Sequence, residues 1–246
     1  IRALTEDEDV EGGIFVVTGG LGGLGRELLR WLAQRGAKKL GVIDVISEEQ
    51  LDEQSPAKKA LLGLRLHGVQ VIVVKTDVKD YDACNASIKK IREFFHCGIR
   101  GVFHLAGILE DQLLSKLTRE AFIRVCEPKI EGGWNLHEAT LEDSENGTLR
   151  YFVLFSSVAG ILGQPGQGNY ATANGFLNAA SIYLIVSIPI PCASVALVNS
   201  LFLAIIPVPP SGPQLAQVTG RPQLLLYQAR PLRKPLAVAQ LPCPGQ

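Results

Sequence analysis

The chain has 246 residues, 47% of them hydrophobic and 20% charged, enough to bury a substantial core and to exclude wholesale disorder. Twenty-four basic side chains balance twenty-four acidic ones, so no net field draws in nucleic acid or an anionic membrane, and the expected partners are small molecules or proteins. Five cysteines (Cys84, Cys97, Cys126, Cys192 and Cys243) are odd in number and lack CxxC spacing, which argues against a disulfide framework or a zinc site and fits a reducing cytoplasm.

The chain has no methionine and opens on Ile1 without a charged-then-apolar leader, the expectation for a piece of a longer, unsecreted polypeptide. Residues 14–18, IFVVT, form a β-branched apolar run suited to a buried strand. The glycines that follow lead into LGRELLRWLAQRG, whose Leu24, Leu28, Leu29, Trp31 and Leu32 recur at helical spacing and whose Gly36 is a natural stop. KLGVIDV predicts a second strand, residues 56–67 a helix, VQVIVVKTDV a strand and YDACNASIKKIREFF a helix. GVFHLAG predicts the next strand, 118–140 a long helix, YFVLFSS a strand and NYATANGFLNAA a helix. Strands alternating with helices over short connections predict an α/β fold, a Rossmann-type doubly wound parallel sheet with helices on both faces.

The segment TGGLGGLG, from Thr18 to Gly25, sits between the first strand and its helix. A turn that brings backbone N–H groups against a pyrophosphate needs residues without a Cβ, and the helix that follows adds its positive end. Gly19 would give the tight exit, Gly23 the close approach and Gly25 the packing of helix on sheet, with Thr18, Gly20, Leu21 and Leu24 completing the cradle. Asp44 ends the second strand, about 20 positions on, where a carboxylate can bond the ribose hydroxyls of NAD. It could equally cap the loop after the strand. Asp77 with Val78 stands where an adenine edge could be read, or caps a turn; Ala106 and Gly107 close the fourth strand beside the same cleft.

In FSSVAGILGQPGQGNYATAN, Ser157 ends a strand and Tyr170 and Asn174 lie one helical turn apart on one face. Together with TGGLGGLG, HLAGILEDQLL and CEPKIEGGWNLH, these residues closely resemble the ketoreductase domain of polyketide synthases and animal-type fatty-acid synthases, a branch of the short-chain dehydrogenase/reductase superfamily, over residues 12–180. The resemblance implies NADP-dependent reduction of a β-ketoacyl thioester held on an acyl carrier protein, within a multifunctional synthase. It implies Tyr170 as proton donor, Lys129 as the cation beside it and Ser157 as donor to the substrate carbonyl. Most of the superfamily carries lysine four residues after the tyrosine; Asn174 there and Lys129 on an earlier helix show the exchanged arrangement of the synthase enzymes. Taken singly, Ser157 reads as a turn residue, Tyr170 as a packed aromatic, Lys129 as a solvated charge and Asn174 as a surface polar. His104 reads as a satisfied core histidine, and His67, His96 and His137 form no ligand cluster. Leu109-Glu110-Asp111, Pro165 and Asn169 match positions of B-type ketoreductases, the first with one change.

Three departures qualify the resemblance. Asp44-Val45 stands where the family carries Ser-Arg for the 2′-phosphate of NADPH, so NAD is possible. After Ala180 the expected charged helix, strand and lid give way to SIYLIVSIPIPCASVALVNSLFLAIIPVPP, in which PCASVAL echoes the strand. The structural subdomain that pairs with such enzymes has no counterpart before Ile14. The expected division is therefore 1–180, a dinucleotide-binding domain, and 181–246, a divergent apolar and proline-rich segment whose end resembles a disordered tail. Two further readings stand beside the reductase: a nucleotide-binding or structural module that the altered C-terminus leaves without catalysis, and a reductase tethered to a membrane through residues 181–208.

Overall fold

A computed structural model describes residues 12–187, 194–199 and 202–204. Strand β1 (Ile14–Thr18) is wholly buried, as an unbroken apolar run in a parallel sheet must be. It is followed by α1 (Gly23–Gln34), β2 (Lys39–Asp44), α2 (Pro56–Leu66), β3 (Gln70–Lys75), α3 (Tyr81–Phe95) and β4 (Ile99–His104). Then come α4 (Arg119–Ala139), the short α5 (Leu141–Glu145), β5 (Tyr151–Phe155), the single turn α6 (Ala159–Leu162), α7 (Gly168–Ser187), β6 (Ser194–Asn199) and β7 (Phe202–Ala204). The helix starts have local causes: Ser55, Asp80 and Thr118 accept from the N–H groups of Lys58, Ala83 and Ala121, and Pro56 opens α2.

The strands lie in the order β3-β2-β1-β4-β5-β6-β7. The pairings from β3 to β6 are parallel and only β7 is antiparallel. This is the doubly wound arrangement the alternation of elements predicts, with the strand order reversing beside β1. One face packs Phe15, Val17, Leu29, Leu32, Val42 and Leu61 under α1 and α2. The other packs Val16, Ile88, Ile91, Leu136, Leu154 and Leu177 under α3, α4 and α7. Of the apolar positions assigned to α1, Leu29 and Leu32 are fully buried, whereas Leu24 is 62% exposed in the first turn, at the open rim of the glycine turn.

The strands β3, β4 and β5 stop short of the apolar runs that predicted them, because residues after them turn along the carboxyl edge to form the site. Helix α7 continues past Ala180 to Ser187, and β6 carries the SVAL of the sequence echo, in register beside β5 from Tyr151↔Ser194 to Phe155↔Val198. No helix among the described residues is long and apolar enough to cross a membrane. The tail expected after Gly212 lies outside the described residues, as do Cys192 and Cys243.

Candidate active site

The carboxyl edge of the sheet between β1, β4 and β5 gathers most of the residues singled out above. At the exit of β1, Gly19 has φ +67° and its missing Cβ would lie 3.1 Å from the backbone of Ala106, so at this point main chain approaches main chain with no room for a side chain. A Cβ on Gly25 would lie 2.3 Å from the carbonyl oxygen of Gly19, which closes α1 onto the turn. A Cβ on Gly23, by contrast, would meet nothing within 4 Å. Helix α1 starts with no side-chain cap and no acidic residue in its first turn, so its leading N–H groups have no side-chain acceptor among the described residues. This combination fits a dinucleotide pyrophosphate: the glycine that packing requires is Gly25, and the glycine that an incoming group requires is Gly23. Asp44, at the end of β2, accepts through Oδ2 from the N–H of Leu21 at 3.1 Å. Arg26 donates to the carbonyl of the same Leu21 at 2.8 Å.

On the far wall, Asp77 is exposed and caps its own turn, accepting from the N–H of Lys79 at 3.3 Å. Lys79 lies 3.6 Å from the Asp77 carboxylate and 3.1 Å from that of Glu127. Val78 is buried, and its carbonyl, with that of Lys79, accepts from Asn135 Nδ2 at 2.9 and 3.0 Å. Sequence reasoning missed Asn135, whose amide ties the β3–α3 turn to α4; its position within a helical run gave no signal of this.

Tyr170 sits in the first turn of α7, half-buried, with Lys129 Nζ 5.5 Å from its ring centroid. Lys129 comes from the middle of α4 and is only 4% exposed. Its chain passes Gly107, where a Cβ would lie 3.0 Å from Cε, and its ammonium donates to the carbonyl of Phe155 at 2.8 Å. Burial lowers its pKa to about 8. Lys129 is therefore not the solvated charge that its residue type alone suggests. Ser157, just past β5, is buried, and its Oγ accepts from the N–H of Ala159 at 3.2 Å, leaving its proton free to donate. Asn174 is fully buried; Nδ2 donates to the carbonyl of Tyr170 at 2.7 Å, while Oδ1 has no partner. A buried acceptor left open in this way marks a site organised for something besides packing.

His104 is buried at the end of β4 and bonded at both ring nitrogens. Thr18 Oγ1 accepts from the N–H groups of Leu105 and Ala106, both at 3.2 Å, so its proton goes to His104 Nδ1 at 2.8 Å. The Nε2–H of His104 then faces the carbonyl of Lys129 at 3.3 Å. Burial, with Lys129 nearby, drives its pKa down to about 3, so it is a neutral strut, as the core-histidine reading requires. Burial also pushes the thiols of Cys84 and Cys126 up to about 12 and about 11, so neither is a nucleophile near neutrality. Among the described residues no three potential metal ligands come together.

The loop after β4 is held beside Tyr170. Glu110 pairs with Arg124 at 2.7 Å, its carbonyl accepts from Asn169 Nδ2 at 3.0 Å, and Asp111 accepts from Gln167 Nε2 at 3.0 and 3.2 Å. Leu109, in this loop, is 65% exposed, and Ile161 and Leu162 of α6 are likewise exposed apolar chains.

Residues 13–192 match the KR domain family. The chain is 37% identical over 166 residues to the highly reducing polyketide synthase VdtX of Byssochlamys spectabilis, covering 67% of this chain and 7% of that protein. It is 37% identical over 169 residues to the phenolphthiocerol synthesis polyketide synthase Pks15/1 of Mycobacterium marinum, covering 68% and 8%. The chain thus spans less than a tenth of either relative. Among solved structures, the N-terminal ketoreductase from the macrolactin assembly line superposes with a TM-score of 0.66 at 29% identity, over 77% of this chain and 36% of that one. An A1-type ketoreductase superposes at 0.68 with 28% identity, over 81% and 39%.

Proposed function

The chain belongs to the polyketide-synthase ketoreductases of the short-chain dehydrogenase/reductase superfamily, and on that premise we propose that it reduces a β-ketoacyl thioester carried on an acyl carrier protein to the β-hydroxyacyl thioester. A reduced nicotinamide dinucleotide would supply the hydride; family likeness suggests NADPH, and Asp44-Val45 leaves NADH as the alternative. The observation that carries the reading is the convergence of Tyr170, Lys129, Ser157 and Asn174 from α7, α4 and the end of β5.

Ser157, its acceptor side satisfied by Ala159, donates its proton to the ketone oxygen as negative charge develops there. Tyr170 delivers the proton that completes the alcohol. A phenol is a weak acid near neutrality, and the buried ammonium of Lys129 beside its ring stabilises the phenolate left behind. Phe155 holds that ammonium, and Asn174 fixes the turn of helix that carries Tyr170. Thr18 to Gly25 would hold the pyrophosphate of the bound dinucleotide, with Ala106 and Gly107 completing its site. Neighbouring synthase domains, including a structural subdomain, and a cytoplasmic setting complete the reading.

The test is oxidation of NADPH or NADH with a β-ketoacyl thioester. Wild type should turn over, and Tyr170→Phe should fall by roughly 10²–10⁴ while keeping its fold. Absence of turnover with both donors would reject the reaction and favour a nucleotide-binding module without catalysis. Chiral analysis of the alcohol tests the B-type geometry proposed for the Leu109–Asp111 loop.

A further inference from the structure

The end of β2 bears on which dinucleotide the glycine turn accepts. Asp44 is held at the glycine turn by the N–H of Leu21 at 3.1 Å, through Oδ2, and Oδ1 has no partner among the described residues. Each carboxylate oxygen has two acceptor sites, so Asp44 can take both hydroxyls of a ribose without releasing Leu21. The next two side chains, Val45 and Ile46, are apolar and exposed. Beyond them come Ser47, Glu48 and Glu49, and no lysine or arginine follows Asp44 until Lys58. Lys58 and Arg65 are already engaged by Glu48. Arg26, just past the turn, is directed to the Leu21 carbonyl, and Lys75, opposite Asp44 in the β2–β3 register, is exposed and offers an ammonium rather than a forked guanidinium. A 2′-phosphate placed here would bring a second negative charge onto an ordered carboxylate, with no dedicated guanidinium to receive it.

We infer that Asp44 is the specificity-determining residue of the cofactor site, and that this chain takes the dinucleotide with a free 2′-hydroxyl, NAD(H), in preference to its 2′-phosphorylated counterpart. This rests on the reductase reading but is separable from it, because binding can be measured without turnover.

The test is isothermal titration calorimetry of the full 246-residue chain with NAD⁺ and with NADP⁺ at low ionic strength. Wild type should bind NAD⁺ tighter by roughly thirtyfold, about 2 kcal/mol. Asp44→Asn retains an acceptor for Leu21 N–H but loses the charge, and should narrow the gap to a few-fold by improving NADP⁺ binding. Asp44→Ser with Val45→Arg should reverse the order. Equal affinities, or tighter NADP⁺ binding by wild type, would overturn the inference while leaving the reductase reading intact, with Arg26→Ala then identifying whether that arginine receives the phosphate. Binding of neither dinucleotide would overturn both.

Discussion

Gly23 and Gly25 lie two residues apart in one turn, yet the structure assigns them opposite sensitivities. A Cβ on Gly25 would stand 2.3 Å from the Gly19 oxygen and 2.6 Å from the Gly20 Cα, both backbone atoms that cannot rotate away. Gly25→Ala must therefore push α1 off the turn, and overpacking of this kind costs about 3 kcal/mol or more. For a domain of this size that corresponds to a fall in Tm of roughly 6–12 °C. A Cβ on Gly23 meets nothing, and the residue opens α1, where alanine is the better helix former by up to about 1 kcal/mol. Gly23→Ala should hold or slightly raise Tm, yet its methyl group enters the space the pyrophosphate needs and should weaken dinucleotide binding by about tenfold, 1.4 kcal/mol. Thermal unfolding followed by circular dichroism, with calorimetric titration of the same preparations, reads both quantities. The reasoning fails if Gly23→Ala unfolds early, or if it binds dinucleotide as tightly as wild type.

Lys129 carries a pH signature. Its pKa falls from 10.5 to about 8 on burial, so between those values the unfolded chain holds a proton that the folded chain has released. Stability should therefore rise with pH across that window, by roughly 3 kcal/mol in total. Urea melts of wild type should show this gain relative to Lys129→Met, while turnover falls above about pH 8 as the ammonium discharges; parallel stability profiles for the two proteins would contradict the assignment. At the opposite edge of the sheet, Asp143 is buried, pairs with Arg92 and accepts from the N–H of Ile99 at 2.9 Å. Asp143→Ala strands the Ile99 N–H and leaves the partly exposed Arg92 with the Ala139 carbonyl, and should cost about 3 kcal/mol in chemical unfolding without altering dinucleotide affinity in the folded protein. A change in affinity as large as the change in stability would refute that separation.

The sheet order follows from features that act locally. The buried run Ile14–Thr18, the glycines after it and the capped helix starts are each readable in a short window, and their alternation restricts the topology to few choices. The turn was legible for the same reason, and so was the division of labour expected between Gly23 and Gly25; the packed structure adds the backbone clash at Gly25 and the open space at Gly23. Lys129, Ser157, Tyr170 and Asn174 were legible through family resemblance rather than periodicity. A lysine within the mixed sequence CEPKIEGGW looks like a surface residue until α4 is laid against β4 and β5. Asn135 and the His104 strut were harder still. Their partners are 57 and 25 residues away for Asn135 with Val78 and for His104 with Lys129, and backbone carbonyls leave no mark in a sequence.

That strut explains how a lysine can serve a tyrosine from a different helix. A lysine one turn along α7 would be fixed to Tyr170 by the helix itself, but Lys129 depends on the placement of α4 against the sheet. Gly132 permits that placement: a Cβ there would lie 2.6 Å from Val78 and 3.2 Å from the His104 ring. His104 then takes the backbone carbonyl of the very residue whose side chain approaches Tyr170. Its other nitrogen takes Thr18, one residue before the glycine turn. The glycine turn and the lysine beside Tyr170 are thus joined by two hydrogen bonds through one neutral ring. An ionised His104 would have no acceptor site for the Thr18 proton, so the low pKa that burial imposes keeps this connection intact across the neutral range. With the cation on α4, position 174 holds an asparagine that braces the Tyr170 turn, while the sheet edge, through His104, fixes the register between the glycine turn and Tyr170.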